Sequence, residues 1–487
     1  MKMLINSRWV DSSNGEVREV TNPGTGEVLD TVPAATTDDL EKAIQAAQHG
    51  KKRMRSLPAH KRYEILSATA DTVQRRLEEL ARLLAAENGK PIRQTREEIA
   101  AAIRLFRGFA EEAKRIFGKS MSLDSVPGME RHFAVTVRQP VGVVAAIVPF
   151  NYPIELYAHK GPAALAAGNA VIVKPPSDCP LTLLKIAEIL EQSGLPEGAH
   201  QVVTGSGETI GDYISASPGV NLISVTGSTA VGKRISRLSA ETLKKVHLEL
   251  GGSDATIVCA DADLERAADA VILGRLARGN GQICCAVKRV FTEDSVYDSF
   301  CDVLAQKTSK LVVGDQLDET TDVGPLITET AAIQVEGDIS EAVKLGGKVI
   351  AGGRRNGTFV TPTVLTGVPS QARVLCEENF GPVVPVGPFA SIEEAVSLAN
   401  NTPYGLQAAV FTESFARALD IAYKLDVGGV IVNWSSAVRL ENLPFGGVKM
   451  SGHGRESIHD TLNEMTEQKT ILMYDALSEF SDKAPAN

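Results

Sequence analysis

Apolar and polar positions along the chain fall into two kinds of pattern. Residues 37–50 carry acidic side chains in a first turn and end on Gly50, which predicts a helix that stops there. Residues 59–88 and 94–117 space apolar side chains three and four apart between charges, the signature of long amphipathic helices. Residues 131–139 (RHFAVTVRQ) alternate and are β-branched, which predicts a half-exposed strand. From Val141 short, wholly apolar runs recur at 141–149, 170–174, 201–204 and 222–226, separated by helical segments near 160–168, 181–193, 208–216 and 229–239. Continuous apolar strands alternating with helices predict a parallel sheet covered on both faces. The pattern resumes after Gly252 with a strand at 255–259, a long helix at 263–278 and further units through Val432. The expected fold class is α/β, with two doubly wound domains that meet near Leu250-Gly251-Gly252. No internal repeat or low-complexity tract interrupts it, and the tail after Tyr474 is expected to be loosely ordered.

A chain of 487 residues is too long for one ordinary core, which agrees with two or three domains. Its formal charge of −10 disfavours nucleic acid and anionic membranes as partners. The longest apolar stretch, 141–150, falls well short of the roughly 20 residues that span a bilayer. Asp11 interrupts any signal-like run at the N-terminus, so a cytoplasmic protein is expected. The six cysteines, at 179, 259, 284, 285, 301 and 376, form no disulfide framework and no zinc-ligand spacing, so no metal is expected.

Strand ends carry the candidate chemistry, because the carboxyl ends of an open α/β sheet build its ligand crevice. Turns 205–211 (GSGETIG) and 226–232 (TGSTAVG) allow close backbone approach to a phosphate at a helix N-terminus. Neither is a clean GxGxxG, and both also read as ordinary strand–helix turns. Lys174 ends the strand AVIVK, within reach of a ribose or phosphate or simply of solvent. Cys284, beside Gly279, Asn280 and Gly281, reads either as a nucleophile on a flexible loop or as a buried structural thiol. Glu249 lies between leucines before two glycines, where burial would raise its pKa towards that of a general base; an edge glutamate is the alternative. Asn151, between prolines at a strand end, is either a turn residue or a rigid amide donor for an oxyanion.

Taken together these stretches resemble the aldehyde dehydrogenase superfamily over essentially the whole chain. Seven motifs stand in family order: PFNYP at 149–153, VKPPS at 173–177, VTGST at 225–229, LELGG at 248–252, GQIC at 281–284, EENFGPV at 377–383 and PFGGVKMSGHGRE at 444–456. The resemblance implies a Rossmann-like dinucleotide-binding domain (1–118 and 141–250) and a catalytic domain (251–450). It also implies a small β oligomerisation element (119–140 and 464–475) that makes a homodimer or homotetramer. It implies that Cys284 is the nucleophile, that Asn151 holds the oxyanion and that Glu249 activates the water that hydrolyses a thioester. Cys285 is then a bystander. Lys174 and Glu378 would hold the two riboses of NAD or NADP, Phe380 would pack near the nicotinamide, and Gly227 and Ser228 would lie at the pyrophosphate. Relatives that pass the acyl group to coenzyme A generally lack a glutamate at the position of Glu249, so hydrolysis is favoured over that alternative. A structural protein on the same fold would not need Asn151, Glu249 and Cys284 together.

Two departures from the family pattern stand out. Ser177 replaces a frequent glutamate that grips the adenosine hydroxyls, which favours acceptance of NADP because a hydroxyl can donate to a 2′-phosphate. Val225 replaces a frequent phenylalanine. On the substrate side, Arg278 stands six residues before Cys284, where semialdehyde dehydrogenases carry a carboxylate-binding arginine. Loop 433–439 resembles the entrance loop of lactaldehyde and non-phosphorylating glyceraldehyde-3-phosphate dehydrogenases. Tyr152 and Ser436 are further candidates to contact substrate, with Glu155, Tyr157 and His159 lining the same tunnel. A short aldehyde bearing polar or anionic groups is the expected substrate, unless Arg278 makes only a structural ion pair.

Overall fold

The computed structural model describes residues 1–477. Five strands run parallel in the spatial order His200–Val202, Ala170–Lys174, Val143–Ile147, Leu222–Thr226, Lys245–Glu249. Antiparallel strands Met3–Ile5 and Arg8–Val10 extend one edge, and Gly452–His453 extends the other. The three central strands are buried along their whole length, as their unbroken apolar sequence requires. Alternate side chains serve opposite cores. Val144, Ala146, Val171 and Val173 pack with Leu66, Phe106 and Leu183, whereas Val143, Ala145, Ala170 and Ile172 pack with Leu40, Ile44 and Ile210. Connections leave Val143–Ile147 towards one edge first and the other edge later. The carboxyl ends of Val143–Ile147 and Leu222–Thr226 therefore open a crevice at the reversal point.

The second sheet has six parallel strands, in the order Thr363–Thr366, Val383–Phe389, Val287–Glu293, Asp254–Val258, Gln407–Phe411, Gly429–Val432. Lys348–Ala351 adds an antiparallel edge. Away from both sheets, Phe133–Pro140 pairs antiparallel with Thr466–Met473 from Thr466↔Pro140 to Met473↔Phe133. Among the described residues no helix is long and apolar enough to cross a membrane. The expectation of a loose tail falls, from residue 478 onward, outside the described residues.

Three helix boundaries differ from the periodicity reading. The first helix runs Thr37–Ser56, straight through Gly50, which is buried against the backbone of Gly198. A Cβ there would sit 1.8 Å from the Gly198 carbonyl oxygen, so this glycine marks a close approach and not a stop. Residues 59–88 form two helices, Ala59–Arg75 and Leu77–Asn88, broken at Arg76 while the apolar spacing carries on across the break. The expected helix 263–278 is regular only over Leu264–Val271, widens to a π-helix over Ile272–Ala277 and then tightens over Arg278–Gly281. Gly279 and Asn280 are left-handed there, with φ of +58° and +54°. The Asn280 amide donates to the carbonyls of Gly89 and Pro325 and accepts from the Gly324 N–H, which holds this unusual backbone in place.

Candidate active site

The loop after Val143–Ile147 is pinned from below. Asn88 Nδ2 donates to the Phe150 carbonyl at 2.6 Å, and Lys90 Nζ donates to the Asn151 carbonyl at 2.7 Å. Lys90 also pairs with Glu98, and both are fully buried. Glu98 Oε1 accepts from the N–H groups of Ile154, at 2.8 Å, and Glu155, at 3.3 Å. A buried pair whose remaining lone pairs are filled by backbone donors fixes geometry well. Sequence reading missed all three supports. Asn88 and Lys90 leave one trace, the polar run ENGK at 87–90, and Glu98 leaves none among the charges of its helix.

Cys284 sits on a loop held by two buried cations. Arg275 has no exposed surface and donates to the carbonyls of Gly281, Val383 and Asn379 and to Asn379 Oδ1. Lys288 Nζ donates to the Cys284 carbonyl at 2.9 Å, to the Gly252 carbonyl at 2.7 Å and to Glu378 Oε1 at 2.5 Å. One ammonium thus ties the thiol loop, a strand-end glycine and Glu378 together. The Cys284 side chain is half-buried. A hydrogen bond with the Cys285 thiol, then burial, pushes its pKa well above the ordinary thiol value. Cys285 itself packs in the core.

Glu249 ends the strand Lys245–Glu249, is 2% exposed, and among the described residues neither carboxyl oxygen has a hydrogen-bond partner. Burial, then the nearby charge of Glu456, raises its pKa well above the carboxylate range. Glu456 is itself neutralised by Lys160 and Arg439, each at 2.5 Å.

Two cavities meet at Cys284, and Asn151 lines both. The first, about 290 Å³, is bounded by Phe150, Thr226, Gly227, Ser228, Glu378 and Phe380. A Cβ on Gly227 would meet no atom closer than 3.8 Å, so the protein's own packing does not demand glycine here; a ligand lying on the backbone would. Ser228 caps the helix Thr229–Ala240, whose N-terminus faces the same space and suits a pyrophosphate. Phe150 and Phe380 meet edge to face at 5.8 Å between centroids, an apolar wall for a flat ring. Glu378 Oε1 accepts from both Lys288 and the Gly252 N–H, which fixes the carboxylate on the cavity wall, and these residues fit a nicotinamide dinucleotide. Lys174 and Ser177 lie together outside this cavity, with Lys174 Nζ 3.1 Å from Ser177 Oγ. Burial lowers the Lys174 pKa to about 8.

The second cavity, about 40 Å³, is bounded by Tyr152, Glu155, Arg278, Cys285, Ala437 and Arg439. It shares Tyr152, Glu155, Arg278 and Arg439 with an outer cavity of about 270 Å³ that His159 also lines. Among the described residues the Arg278 guanidinium makes no ion pair; it donates to the Ala437 carbonyl at 3.1 Å and lies 5.6 Å from the Tyr152 ring centroid. Two candidates require correction. Ser436 is fully buried, donates to the Cys285 carbonyl at 2.9 Å and lines neither cavity, because the loop turns its side chain inward beneath Cys285. Tyr157 also faces the core, where its hydroxyl meets His200 Nε2 at 3.0 Å.

A half-buried thiol thus stands between an apolar groove beside a helix N-terminus and a tunnel that carries two guanidiniums. The chain matches the Aldehyde dehydrogenase family over residues 9–471, and it belongs to that family. It is 43% identical to 3-sulfolactaldehyde dehydrogenase of Priestia megaterium over 97% of each chain. It is 38% identical to the NADP-dependent succinate-semialdehyde dehydrogenase of Escherichia coli over 96% of this chain and 97% of that one. Among solved structures, a glyceraldehyde-3-phosphate dehydrogenase of Methanocaldococcus jannaschii complexed with NADP superposes with a TM-score of 0.90 at 39% identity, covering 94% of this chain and 98% of that one. The protein is an aldehyde dehydrogenase that uses NAD or NADP.

Proposed function

We propose that this enzyme oxidises a short aldehyde carrying an anionic group, a carboxylate, sulfonate or phosphate, to its acid through a thioester on Cys284. The observation that carries this reading is the Arg278 guanidinium, which makes no ion pair among the described residues and lines the small cavity against Cys284, whereas its neighbour Arg439 is held by Glu456. Cys284 gives up its thiol proton to solvent, its thiolate adds to the carbonyl carbon as the C=O π bond opens, and the Asn151 amide donates to the oxyanion that forms. A bound nicotinamide supplies the hydride acceptor that converts the thiohemiacetal to a thioester. Glu249 then takes a proton from a water whose oxygen attacks the thioester carbon, which frees the acid and returns the thiolate.

The substrate reading is tested with a panel of lactaldehyde, 3-sulfolactaldehyde, glyceraldehyde 3-phosphate, succinate semialdehyde and hexanal. An anionic member should give the highest kcat/KM. Arg278→Ala should raise its KM about 10- to 100-fold, the worth of a charge-assisted hydrogen bond, and leave hexanal unchanged. A hexanal-favouring profile, or an unchanged KM for every anion, would sink the anion site.

Cofactor preference follows from Ser177. The nearest carboxylate to Lys174, Asp178, is paired with Arg18 at 2.5 Å, which blunts its repulsion of a 2′-phosphate, although Ser177 spends its hydroxyl hydrogen on the Gly205 carbonyl at 3.0 Å and must turn to donate outward. NADP is expected to match or exceed NAD in kcat/KM, and Ser177→Glu should move the ratio towards NAD by about tenfold or more. A wild-type ratio tenfold in favour of NAD would contradict this.

In the same reading residues 1–118 and 141–250 hold the cofactor, and 251–450 carry out the reaction. Residues 119–140 with 464–475 join subunits into a homodimer or homotetramer, and the exposed Ile471 and Leu472 on Thr466–Met473 support that assignment. Six free cysteines suit the cytoplasm.

A further inference from the structure

On the strand Lys245–Glu249, residues two apart project from the same face, so His247 stands beside Glu249. His247 is 3% exposed, and its Nε2 lies 3.8 Å from Glu249 Oε1. Nε2 and both Glu249 oxygens are buried and have no hydrogen-bond partner among the described residues. Three orphaned polar atoms on one adjacent pair are costly, unless the two side chains complete each other in a working pose. The surroundings leave little other choice. Glu456, which also faces His247, is engaged by Lys160 and Arg439; His453 occupies the neighbouring antiparallel strand; and His159 is buried nearby with its own Nδ1 unpartnered.

Space on this pair has been shaped by glycines. Gly454, at φ +96°, lies so close that a Cβ would come within 2.0 Å of His247 Cδ2. Only glycine at 454 leaves room for the Nε2 edge of the ring, the edge that faces Glu249. Gly446 leaves room over Glu249 Oε1, where a Cβ would intrude to 2.9 Å. A side-chain rotation of Glu249 into that room closes the remaining gap from 3.8 Å to hydrogen-bond length.

We propose that His247 is a positioning residue for the hydrolytic step: in the tautomer protonated at Nε2 it donates to Glu249 and holds the carboxylate towards the thioester on Cys284. Burial lowers the His247 pKa to about 4, so the ring is neutral at physiological pH and has one N–H to give. That donor counters burial and the Glu456 charge, both of which favour protonated Glu249. The inference rests on the reading of Glu249 as the base that activates water.

The test is rapid-mixing kinetics on the full enzyme with its best aldehyde and no coenzyme A, comparing wild type, His247→Leu and His247→Gln. In His247→Leu the first equivalent of reduced cofactor should form at the wild-type rate, while steady-state turnover falls about tenfold near pH 7. Its acid limb should move to higher pH, because the carboxylate has lost its donor and protonates more readily. His247→Gln, which retains an N–H at similar reach, should recover most of the turnover and return the limb. A His247→Leu enzyme with wild-type turnover and pH profile overturns the proposal, as does parallel loss of the first turnover and the steady state. So does a Gln variant as slow as Leu whose melting temperature matches wild type. If the wild-type enzyme itself needs coenzyme A to turn over, the hydrolytic reading has failed, and that control identifies it as the cause.

Discussion

Cys284→Ala is expected to abolish aldehyde-dependent reduction of NAD(P), whereas Cys285→Ala should keep it. The two thiols are neighbours in sequence and differ in setting. Cys284 is half-buried where the two cavities meet, while Cys285 is buried and its carbonyl is fixed by Ser436. Loss of a covalent nucleophile commonly costs about 10⁴- to 10⁶-fold, because the remaining groups cannot form the intermediate. Cys285 has a secondary effect. Its hydrogen bond is the leading cause that holds Cys284 as a thiol, so Cys285→Ala should lower the Cys284 pKa. A thiolate is the reactive form, so kcat/KM of that variant should rise at lower pH than in wild type. Initial rates at 340 nm across pH 6–10 check both statements. Activity in Cys284→Ala above about a thousandth of wild type would move the nucleophile elsewhere.

The sequence makes the sheets legible and the supports of the site largely illegible, for one physical reason. Fully buried parallel strands must be apolar throughout, so 143–147, 170–174 and 222–226 stand out within a residue or two of their ends. Asn151, Glu249 and Cys284 could be picked out by their place at strand ends or among glycines; the fold brings Asn151 and Cys284 to the same two cavities and buries Glu249 behind them, close enough to feel the Cys284 charge. Lys90, Glu98, Arg275 and Lys288 could not. A charged side chain on or beside an amphipathic helix, or after a cysteine, normally faces solvent, and only the tertiary packing takes these four inside. The π-helical stretch Ile272–Ala277 escaped for a related reason. Its apolar spacing still reads as α-helix, and the widening shows only once Arg275 is seen reaching three separate carbonyls. Ser436 and Tyr157 erred the other way: their sequence neighbours line the tunnel, but their own side chains turn to the core.

Glu249→Gln should form one equivalent of reduced cofactor per active site at a near-wild-type rate and then stall. The first half-reaction needs Cys284 and the Asn151 amide, both untouched by this change. The second needs a base to deprotonate water, and glutamine cannot accept that proton, so steady-state turnover should fall about 10²- to 10⁴-fold. The pH dependence of the wild type carries the same signature. Burial and Glu456 raise the Glu249 pKa, so its carboxylate, the active form, is lost as pH falls through a value above the usual carboxylate range. The steady-state rate should therefore rise with pH through that limb, and Glu249→Gln should flatten it. Mass spectrometry of the stalled variant should find the acyl group on the peptide containing Cys284, and hydroxylamine should release it as expected for a thioester. If burst and steady state fall together, Glu249 acts before the thioester forms, as the base that deprotonates the Cys284 thiol. The buried carboxyl, unpartnered and next to a thiol held in its neutral form, is placed near enough for that role to be the direct competitor.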